Sequence, residues 1–451
     1  MALAREQFGS KLGFILAAVG SAVGLGNIWR FSYVAGESGG AAFLLIYILC
    51  IFLIGLPVLL AEFSIGRRGQ SDVVGAFNKT APGTPWVIAG VLGVLTSFII
   101  LSFYGVIAGW VMYFMTAFLT GQASGVEEGG FADFFTGFIG GSIGPVFWQV
   151  LFMAIVILIV FFGVKKGIEF SNKIFMPLLA VILIMLAGFS LTLDGAGEGL
   201  AFLFSPDWNA FTNPEVYASA VGQAFFTLSL GMGAMITYAS YLSKEARLPS
   251  AAGSVVTMDT LFAIIAGIVI FPAVFTFSSI EPDAGPALIF IVLPEVFNQM
   301  GGAGTLFAIF FFFLVAVAAL SSAVSLLEVS VSYVMRQMNW TRHKATLAAG
   351  IAVTLLGIPS ALSQGGPFTF TIGGFSFLDF MDVITDRITL PLGGFIIALF
   401  VGWGWNKIDA LRETGLTDSV VGTLWIWMLR IVAPIGILWI LIQNIIGLFF
   451  T

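Results

Sequence analysis

The chain has 451 residues, of which 59% are hydrophobic and only 9% are charged, and its formal net charge is −6. A soluble domain carries about 25% charged residues, so this composition excludes a soluble globular protein and predicts a membrane protein. The single cysteine, Cys50, and the single histidine, His343, exclude an intramolecular disulfide, a cysteine-built metal site and the paired histidines of zinc-dependent membrane proteases.

Eleven apolar runs are long enough to cross a bilayer, which takes about 20 residues in a helix. The sequence therefore predicts an all-α, polytopic membrane protein with eleven transmembrane helices. The runs centre near Ala22, Phe52, Ile100, Val156, Leu183, Ser229, Ile265, Val315, Val353, Ile396 and Trp439.

Basic residues lie on one set of loops. They precede the first run and follow every even-numbered run, as Arg67 and Arg68 do after the second and Arg336 after the eighth. The other loops are acidic or neutral. Because lysine and arginine are concentrated in cytoplasmic loops, we expect a multi-pass protein of the plasma (inner) membrane with a cytoplasmic N-terminus. An odd number of spans places the C-terminus outside.

Glycines interrupt two of the runs at their midpoints. The first run contains Gly20, Gly24 and Gly26, and the sixth contains Gly231 and Gly233. Close helix packing through small residues is one explanation for a single helix of this kind. The other is a break in the helix, because freed backbone polar groups are tolerated in a membrane where they line a cavity or meet a ligand.

The two interrupted runs open two groups of five helices that start on opposite sides of the membrane. Broken helices at equivalent positions of inverted halves indicate a binding site at the midplane, where helix N-termini face an anionic group and free carbonyls bind a cation. We predict one transmembrane domain, with repeat one at about residues 8–193, repeat two at about 214–405 and an extra helix at about 422–450.

Polar side chains lie at the same depth as the breaks. An ionisable group inside a span is expensive and marks a functional site, which makes Asp259 of the seventh run the strongest candidate. Hydroxyl groups often bond back to the preceding turn instead. Oxygen donors without thiol or imidazole suit a hard cation, and we extend that rule to Na⁺. The polar residues at this depth are Asn27, Thr227, Ser229, Asp259, Ser321 and Ser322.

Four segments carry a family resemblance. They are GSAVGLGNIWRF, ESGGAAF, GLPVLLAEFSIGRRG and VGQAFFTLSLGMGAMITYASY. Together they resemble the neurotransmitter:sodium symporter family, and most of all its bacterial amino-acid branch, over essentially the whole chain. The resemblance implies inverted five-helix repeats with broken helices 1 and 6. It also implies a symporter, not an enzyme, that couples hydrophobic and aromatic L-amino acids to Na⁺ by alternating access.

The resemblance implies sites for two Na⁺ ions. The first would be held by the carbonyl of Ala22, by Asn27, Thr227 and Asp259, and by the substrate carboxylate. The second would take the carbonyls of Gly20, Val23 and Ala318 with the hydroxyls of Ser321 and Ser322. The family has threonine at the first of these two hydroxyl positions, and serine keeps the ligand.

The substrate pocket is also implied by the resemblance. Tyr104 would bond the substrate carboxylate, and Phe226 would close over the substrate. The monoamine branch has an aspartate at the position of Gly24, so this pocket offers no fixed anion to an amine. Met232 is flexible enough to adapt to differently shaped side chains. The expected substrate-binding residues are Ala22, Leu25, Gly26, Ile100, Tyr104, Phe226, Thr227, Ser229, Met232, Ser322 and Leu326.

Two gates are expected from the family pattern. On the outer side Arg30 would pair with an acidic residue of the tenth span, for which Asp382 is our choice and Asp386 the alternative. On the inner side the family uses an arginine near the N-terminus, here Arg5, and an aspartate at the end of the eighth helix. Arg336 stands at that aspartate position, so Arg5 would meet Tyr241 or the following loop instead.

The fifth span begins with a segment that should unwind easily. Gly167 and Pro177 lie ten residues apart near its cytoplasmic end. Proline removes a backbone donor and glycine weakens a helix, so an unwound turn here would let water reach the second Na⁺ site. A late helix start is the alternative.

No chloride requirement is predicted. Animal members of the family hold Cl⁻ with a tyrosine, a glutamine and two hydroxyl residues. Tyr47, Gln223 and Thr227 match three of these positions, but Ala263 stands at the fourth. The missing negative charge would be supplied one turn earlier by Asp259, where the family usually has asparagine.

Two other functional classes fit less well. A channel needs a continuous polar lining, whereas these residues converge on one midplane site. An intramembrane enzyme needs a nucleophile and a base within reach, and no such pair is visible. The expected partners are an amino acid substrate and the lipid bilayer, with no nucleic acid and no obligatory protein partner.

Overall fold

The computed structural model describes residues 6–276, 288–365 and 371–449, and these are almost entirely helical. Helices are expected because backbone polar groups in hydrocarbon must be satisfied within their own segment. The elements are α1 Lys11–Ala22, α2 Gly26–Glu37, α3 Ala41–Gly69, α4 Val73–Thr80, α5 Val87–Leu119, α6 Phe131–Ile139, α7 Gly144–Phe161, α8 Val164–Ser190, α9 Ala196–Phe204, α10 Pro214–Thr227, α11 Ala234–Ala239, α12 Leu248–Thr276, α13 Val292–Gln299, α14 Gly302–Met338, α15 Arg342–Leu362, β1 Thr371–Ile372, β2 Phe375–Ser376, α16 Phe377–Gly404, α17 Lys407–Thr414 and α18 Val420–Gly447, with short 3₁₀ turns at Ala123–Gly125 and Trp208–Thr212.

Nine of the described helices are long and apolar enough to cross a membrane, or ten if α1 and α2 form one bent span. The sixth predicted run is not a continuous helix, because the structure divides it into α10 and α11. Each of these is shorter than the about 20 residues that a straight crossing needs. The all-α, polytopic architecture predicted from the sequence is confirmed.

Both predicted helix breaks are present. The axis turns by 50° between α1 and α2. Between α10 and α11 the backbone takes positive φ at Ser229 (53°), Gly231 (78°) and Gly233 (77°). Glycine occupies this region at no steric cost, and a Cβ on Gly231 would overlap the Leu390 carbonyl of α16. The glycines of the sixth run therefore permit both the turn and the close approach of a neighbouring helix.

The two broken helices lie at the centre of the bundle. Helix α1 contacts α8, α12 and α14, and α11 contacts α3 and α14 as well as α1. Ala18, Val19 and Val23 around the first break and Leu228 and Leu230 in the second are fully buried. The freed backbone groups of both breaks consequently face the interior of the protein.

Large apolar side chains cover the outside of the bundle. On α8, Val181 is 66% exposed and Ile184 is 61% exposed, and on α18 Ile435 is 63% exposed. A water-soluble monomer rarely exposes a large contiguous apolar surface. This exterior fits a hydrocarbon environment.

Candidate functional site

A pocket lies between the two helix breaks and is closed on its sides by α5 and α14. Every predicted substrate-binding residue lines it except Thr227, whose hydroxyl turns towards Asp259. The structure adds Ser21 and Gly24 to the wall. The lining residues are Ser21, Ala22, Gly24, Leu25, Gly26, Ile100, Tyr104, Phe226, Ser229, Met232, Ser322 and Leu326.

Asp259 is the centre of a first oxygen cluster. Its carboxylate is fully buried and accepts hydrogen bonds from Asn27 Nδ2 at 2.7 Å and Thr227 Oγ1 at 3.0 Å. The Oδ1 atom of Asn27 accepts from the Gly24 amide at 3.1 Å, which fixes the amide orientation. Side chains from three helices thus meet at one carboxylate beside the first break, and carboxylate oxygens are ligands that a hard cation takes.

The residues expected around a chloride ion face the same carboxylate or the backbone. Tyr47 donates its hydroxyl to Asp259 Oδ2 at 3.4 Å, and Thr227 donates to the same oxygen at 3.2 Å. The amide of Gln223 donates to the Gly26 carbonyl at 2.7 Å. Ala263 is fully buried and supplies no ligand. Asp259 is thus the acidic side chain that Tyr47 and Thr227 face in this region.

Two serines of α14 form a second oxygen cluster with the end of α1. Ser321 Oγ donates to the Ala318 carbonyl at 2.8 Å and lies 3.4 Å from the Val23 carbonyl. Ser322 Oγ lies 3.3 Å from the Gly20 carbonyl and 3.2 Å from that of Ser21. All five residues expected at the second ion site are brought together. Back-bonding to the preceding turn, as Ser321 shows, accounts for only part of this geometry.

Aromatic side chains border the pocket. The Leu25 amide donates to the Tyr104 hydroxyl at 3.4 Å, so the hydroxyl lies at the exposed backbone of the first break. The guanidinium of Arg30 stacks over the Phe226 ring at 4.6 Å from its centre, within the range of a cation–π contact. The expected lid residue is thus held by the expected gate residue.

Arg30 pairs with Asp386 of α16, not with Asp382. Both terminal nitrogens of Arg30 donate to the two carboxylate oxygens of Asp386, one of them at 2.8 Å. The choice of Asp382 was wrong. The two aspartates lie one helical turn apart, so the sequence alone does not distinguish which of them faces Arg30. A π-helical turn at Thr385–Thr389 begins between them and sets which one faces Arg30.

We expect Asp386→Asn to lower the initial rate of substrate uptake about tenfold, and Asp382→Asn to have a smaller effect. Hydrogen bonds to charged groups contribute about 1.5–3 kcal/mol, and about 1.4 kcal/mol corresponds to a factor of ten. Uptake into proteoliposomes measures both variants. An equal or larger loss in Asp382→Asn would restore the original assignment.

The end of the bundle that we predict to be cytoplasmic, called the inner end below, carries an ion-pair network that was not predicted from the sequence. Glu328 accepts from Arg342 at 2.7 and 2.9 Å and from the Tyr241 hydroxyl at 2.5 Å. Arg342 also donates to Glu6 at 2.7 Å. Arg5 lies outside the described residues, so its predicted contact with Tyr241 stays a prediction.

Three buried acidic side chains with partners inside the bundle, Asp72, Glu62 and Glu328, were not predicted from the sequence. Arg336 pairs with Asp72 at the N-terminus of α4. Glu62, fully buried in α3, accepts from the Gly231 amide at 2.8 Å and so ties α3 to the second break. Glu62 and Glu328 both interrupt apolar runs, so the criterion that singled out Asp259 would have found them.

The start of the fifth span is helical in this structure. Helix α8 begins at Val164 with a π-helical turn to Glu169, so the late helix start is wrong. A Cβ on Gly167 would overlap the Ile159 carbonyl of α7, which gives this glycine a packing role. Pro177 lies inside the helix. Unwinding of this segment during transport stays a prediction.

Three comparisons with known proteins agree on one family. The model of the sodium:neurotransmitter symporter family matches residues 5–124 and 139–449. An uncharacterized sodium-dependent transporter of Bacillus subtilis, YhdH, is 40% identical over 98% of both chains, and one of Methanocaldococcus jannaschii is 35% identical over 96% of this chain and 88% of its own. The crystal structure of MhsT in complex with L-phenylalanine is 60% identical, covers 98% of this chain and 100% of its own, and superposes with a TM-score of 0.91.

Proposed function

Because the chain belongs to the sodium:neurotransmitter symporter family, we propose that it carries hydrophobic and aromatic L-amino acids across the membrane together with Na⁺ by alternating access. The family is one of multi-pass, sodium-dependent transporters, so the protein is a transporter and not an enzyme. The substrate class, two Na⁺ ions and independence from chloride are the proposed details.

The observation that carries this proposal is the position of two oxygen clusters beside one pocket. The first surrounds Asp259, and the second surrounds Ser321 and Ser322. Both use groups at the first helix break and so link ion binding to the pocket wall. A substrate carboxylate near Tyr104 could complete the first cluster, because an anion is stabilised by a cation beside it.

The pocket wall supports an apolar substrate. Ile100, Met232 and Leu326 line the pocket, and Gly24 offers no anion to an amine. The flexible thioether of Met232 can adapt to side chains of different shape. MhsT, which is similar over its whole length, was crystallised with L-phenylalanine.

The proposed orientation follows the charges of the loops. Arg67 and Arg68 end α3, and Arg336 lies near the end of α14, at the ends expected to face the cytoplasm. We propose a cytoplasmic N-terminus and an outside C-terminus in the plasma (inner) membrane. The proposed partners are the amino acid and the surrounding lipid.

The test is uptake of radiolabelled phenylalanine into proteoliposomes of the purified protein. An inward Na⁺ gradient should drive accumulation, whereas an equal K⁺ gradient should not. Unlabelled leucine and tryptophan should compete, while dopamine and tyramine should not. Replacing Cl⁻ by gluconate should leave the rate unchanged.

Different results would contradict the Na⁺ coupling and the substrate class. Uptake that ignores the Na⁺ gradient would contradict symport. Stronger competition by tyramine than by tryptophan would move the protein to the monoamine class. Protein-free liposomes with both gradients provide the control for leakage.

A further inference from the structure

Asn172 carries a buried oxygen that no part of the described chain satisfies. The residue lies on α8, five residues after Gly167, and is fully buried. Its Nδ2 donates to the Ile168 carbonyl at 2.9 Å, while its Oδ1 has no hydrogen-bond partner. Buried polar atoms are nearly always paired in folded proteins, and an exception calls for a water, an ion or a functional role.

The direction of this oxygen is fixed by its own amide group. The Ile168 carbonyl can only accept a hydrogen bond, so the NH₂ group must face it and Oδ1 must face away. Oδ1 points to α1, where a Cβ added to Gly20 would overlap it. The same Cβ would lie 3.2 Å from the Cβ of Ser321. Asn172 Oδ1 is therefore next to two members of the second oxygen cluster.

We propose that Asn172 is a further ligand of the second Na⁺ site, binding the cation through Oδ1 directly or through one water. An amide oxygen is a suitable donor for a hard cation. The cation would then be held by three helices, since Gly20 lies on α1, Ser321 on α14 and Asn172 on α8. This inference rests on the proposed function, because it assigns a ligand to one of the two Na⁺ ions.

A structural explanation competes with this assignment. The oxygen could only pack against the Gly20 Cα, whose hydrogen forms a weak C–H···O contact. The two explanations differ in what a substitution changes. A ligand changes the affinity for Na⁺, whereas a packing contact changes stability or maximal rate without regard to Na⁺.

The experiment measures the Na⁺ concentration that gives half-maximal phenylalanine uptake, at constant ionic strength with N-methylglucamine chloride. Asn172→Leu keeps the side-chain volume and removes the oxygen, so the half-saturating Na⁺ concentration should rise about tenfold, as expected for loss of one contact to a charged group. Asn172→Asp keeps an oxygen and adds charge, so this concentration should fall. Thermal stabilisation of the purified protein by Na⁺ without substrate should shift in the same directions.

Ser171→Ala is the matched control. The Ser171 hydroxyl donates to the same Ile168 carbonyl at 3.1 Å, one residue earlier on α8. Removal of this hydroxyl perturbs the same turn but leaves Asn172 Oδ1 in place beside Gly20, so the Na⁺ dependence should stay as in the parent.

Measurements on the parent protein distinguish failure of the proposed function from failure of the ligand role of Asn172. A parent without Na⁺-dependent uptake would overturn the proposed function itself. A parent that depends on Na⁺, with the same half-saturating concentration in Asn172→Leu and Asn172→Asp, would overturn the ligand role alone. If Asn172→Leu does not fold, an unchanged concentration in Asn172→Asp is sufficient to overturn it.

Discussion

Asp259→Asn is expected to lower Na⁺-driven uptake about tenfold to a hundredfold in this protein. The carboxylate accepts hydrogen bonds from Asn27, Thr227 and Tyr47 in a fully buried position. Hydrogen bonds to charged groups contribute about 1.5–3 kcal/mol each, which corresponds to about one to two powers of ten. The substitution also removes the negative charge that would stabilise the first Na⁺ ion.

The same variant tests the source of this negative charge. In the parent, replacing Cl⁻ by gluconate should not change uptake. In Asp259→Asn with Ala263→Ser, which supplies the missing hydroxyl, Cl⁻ should restore activity. Asp133→Asn, an exposed carboxylate on α6, should behave like the parent. Strong chloride dependence of the parent would contradict the assignment of Asp259 as the resident anion.

Gly24→Ala is expected to abolish substrate binding while the protein still folds. A Cβ on Gly24 would overlap the Ser322 hydroxyl and lie 3.1 Å from the Tyr104 hydroxyl. One methyl group would thus occupy the pocket where the second oxygen cluster and the expected carboxylate ligand meet. Because the added methyl group would be too close to these two hydroxyls, Ser322 and Tyr104 would have to move away from it, and their present positions in the pocket would be lost.

Binding of labelled phenylalanine to the purified variant measures this effect, and its elution in gel filtration reports on folding. Gly253→Ala on α12 is the matched control, because a Cβ there meets nothing within 4 Å. Its binding should equal that of the parent. Wild-type affinity in Gly24→Ala would show that the substrate lies elsewhere.

The sequence was most informative at residues that are energetically unfavourable inside a membrane-spanning helix. Glycines at midspan and a carboxylate inside a span are both unfavourable in lipid, so Gly231 and Asp259 pointed to the site without any structure. The resemblance then supplied the pocket residues. The same cost argument, applied to Glu62 and Glu328, would have marked both residues as candidates, although not the partners that they contact.

Other features could not be predicted because they depend on helix phase. Asp382 and Asp386 are chemically identical and one turn apart, and a local π-helical turn decides which one meets Arg30. The orphaned oxygen of Asn172 is a similar case, since its neighbour Gly20 lies in a different span. Contacts between distant segments are set by packing and leave no local pattern.

The inner network divides into one strong and one weak attachment. Arg342 holds Glu328 by two hydrogen bonds inside the bundle. Glu6, whose side chain is 39% exposed, accepts from Arg342 at the edge of the bundle and from the Val164 amide at 2.6 Å. Breaking a buried ion pair costs about 3–5 kcal/mol, but an exposed pair contributes about 1 kcal/mol or less. We therefore expect Glu6 to separate from Arg342 at a lower cost than Glu328, so that the proposed inward opening would begin with the buried pair intact and the interior electrically neutral.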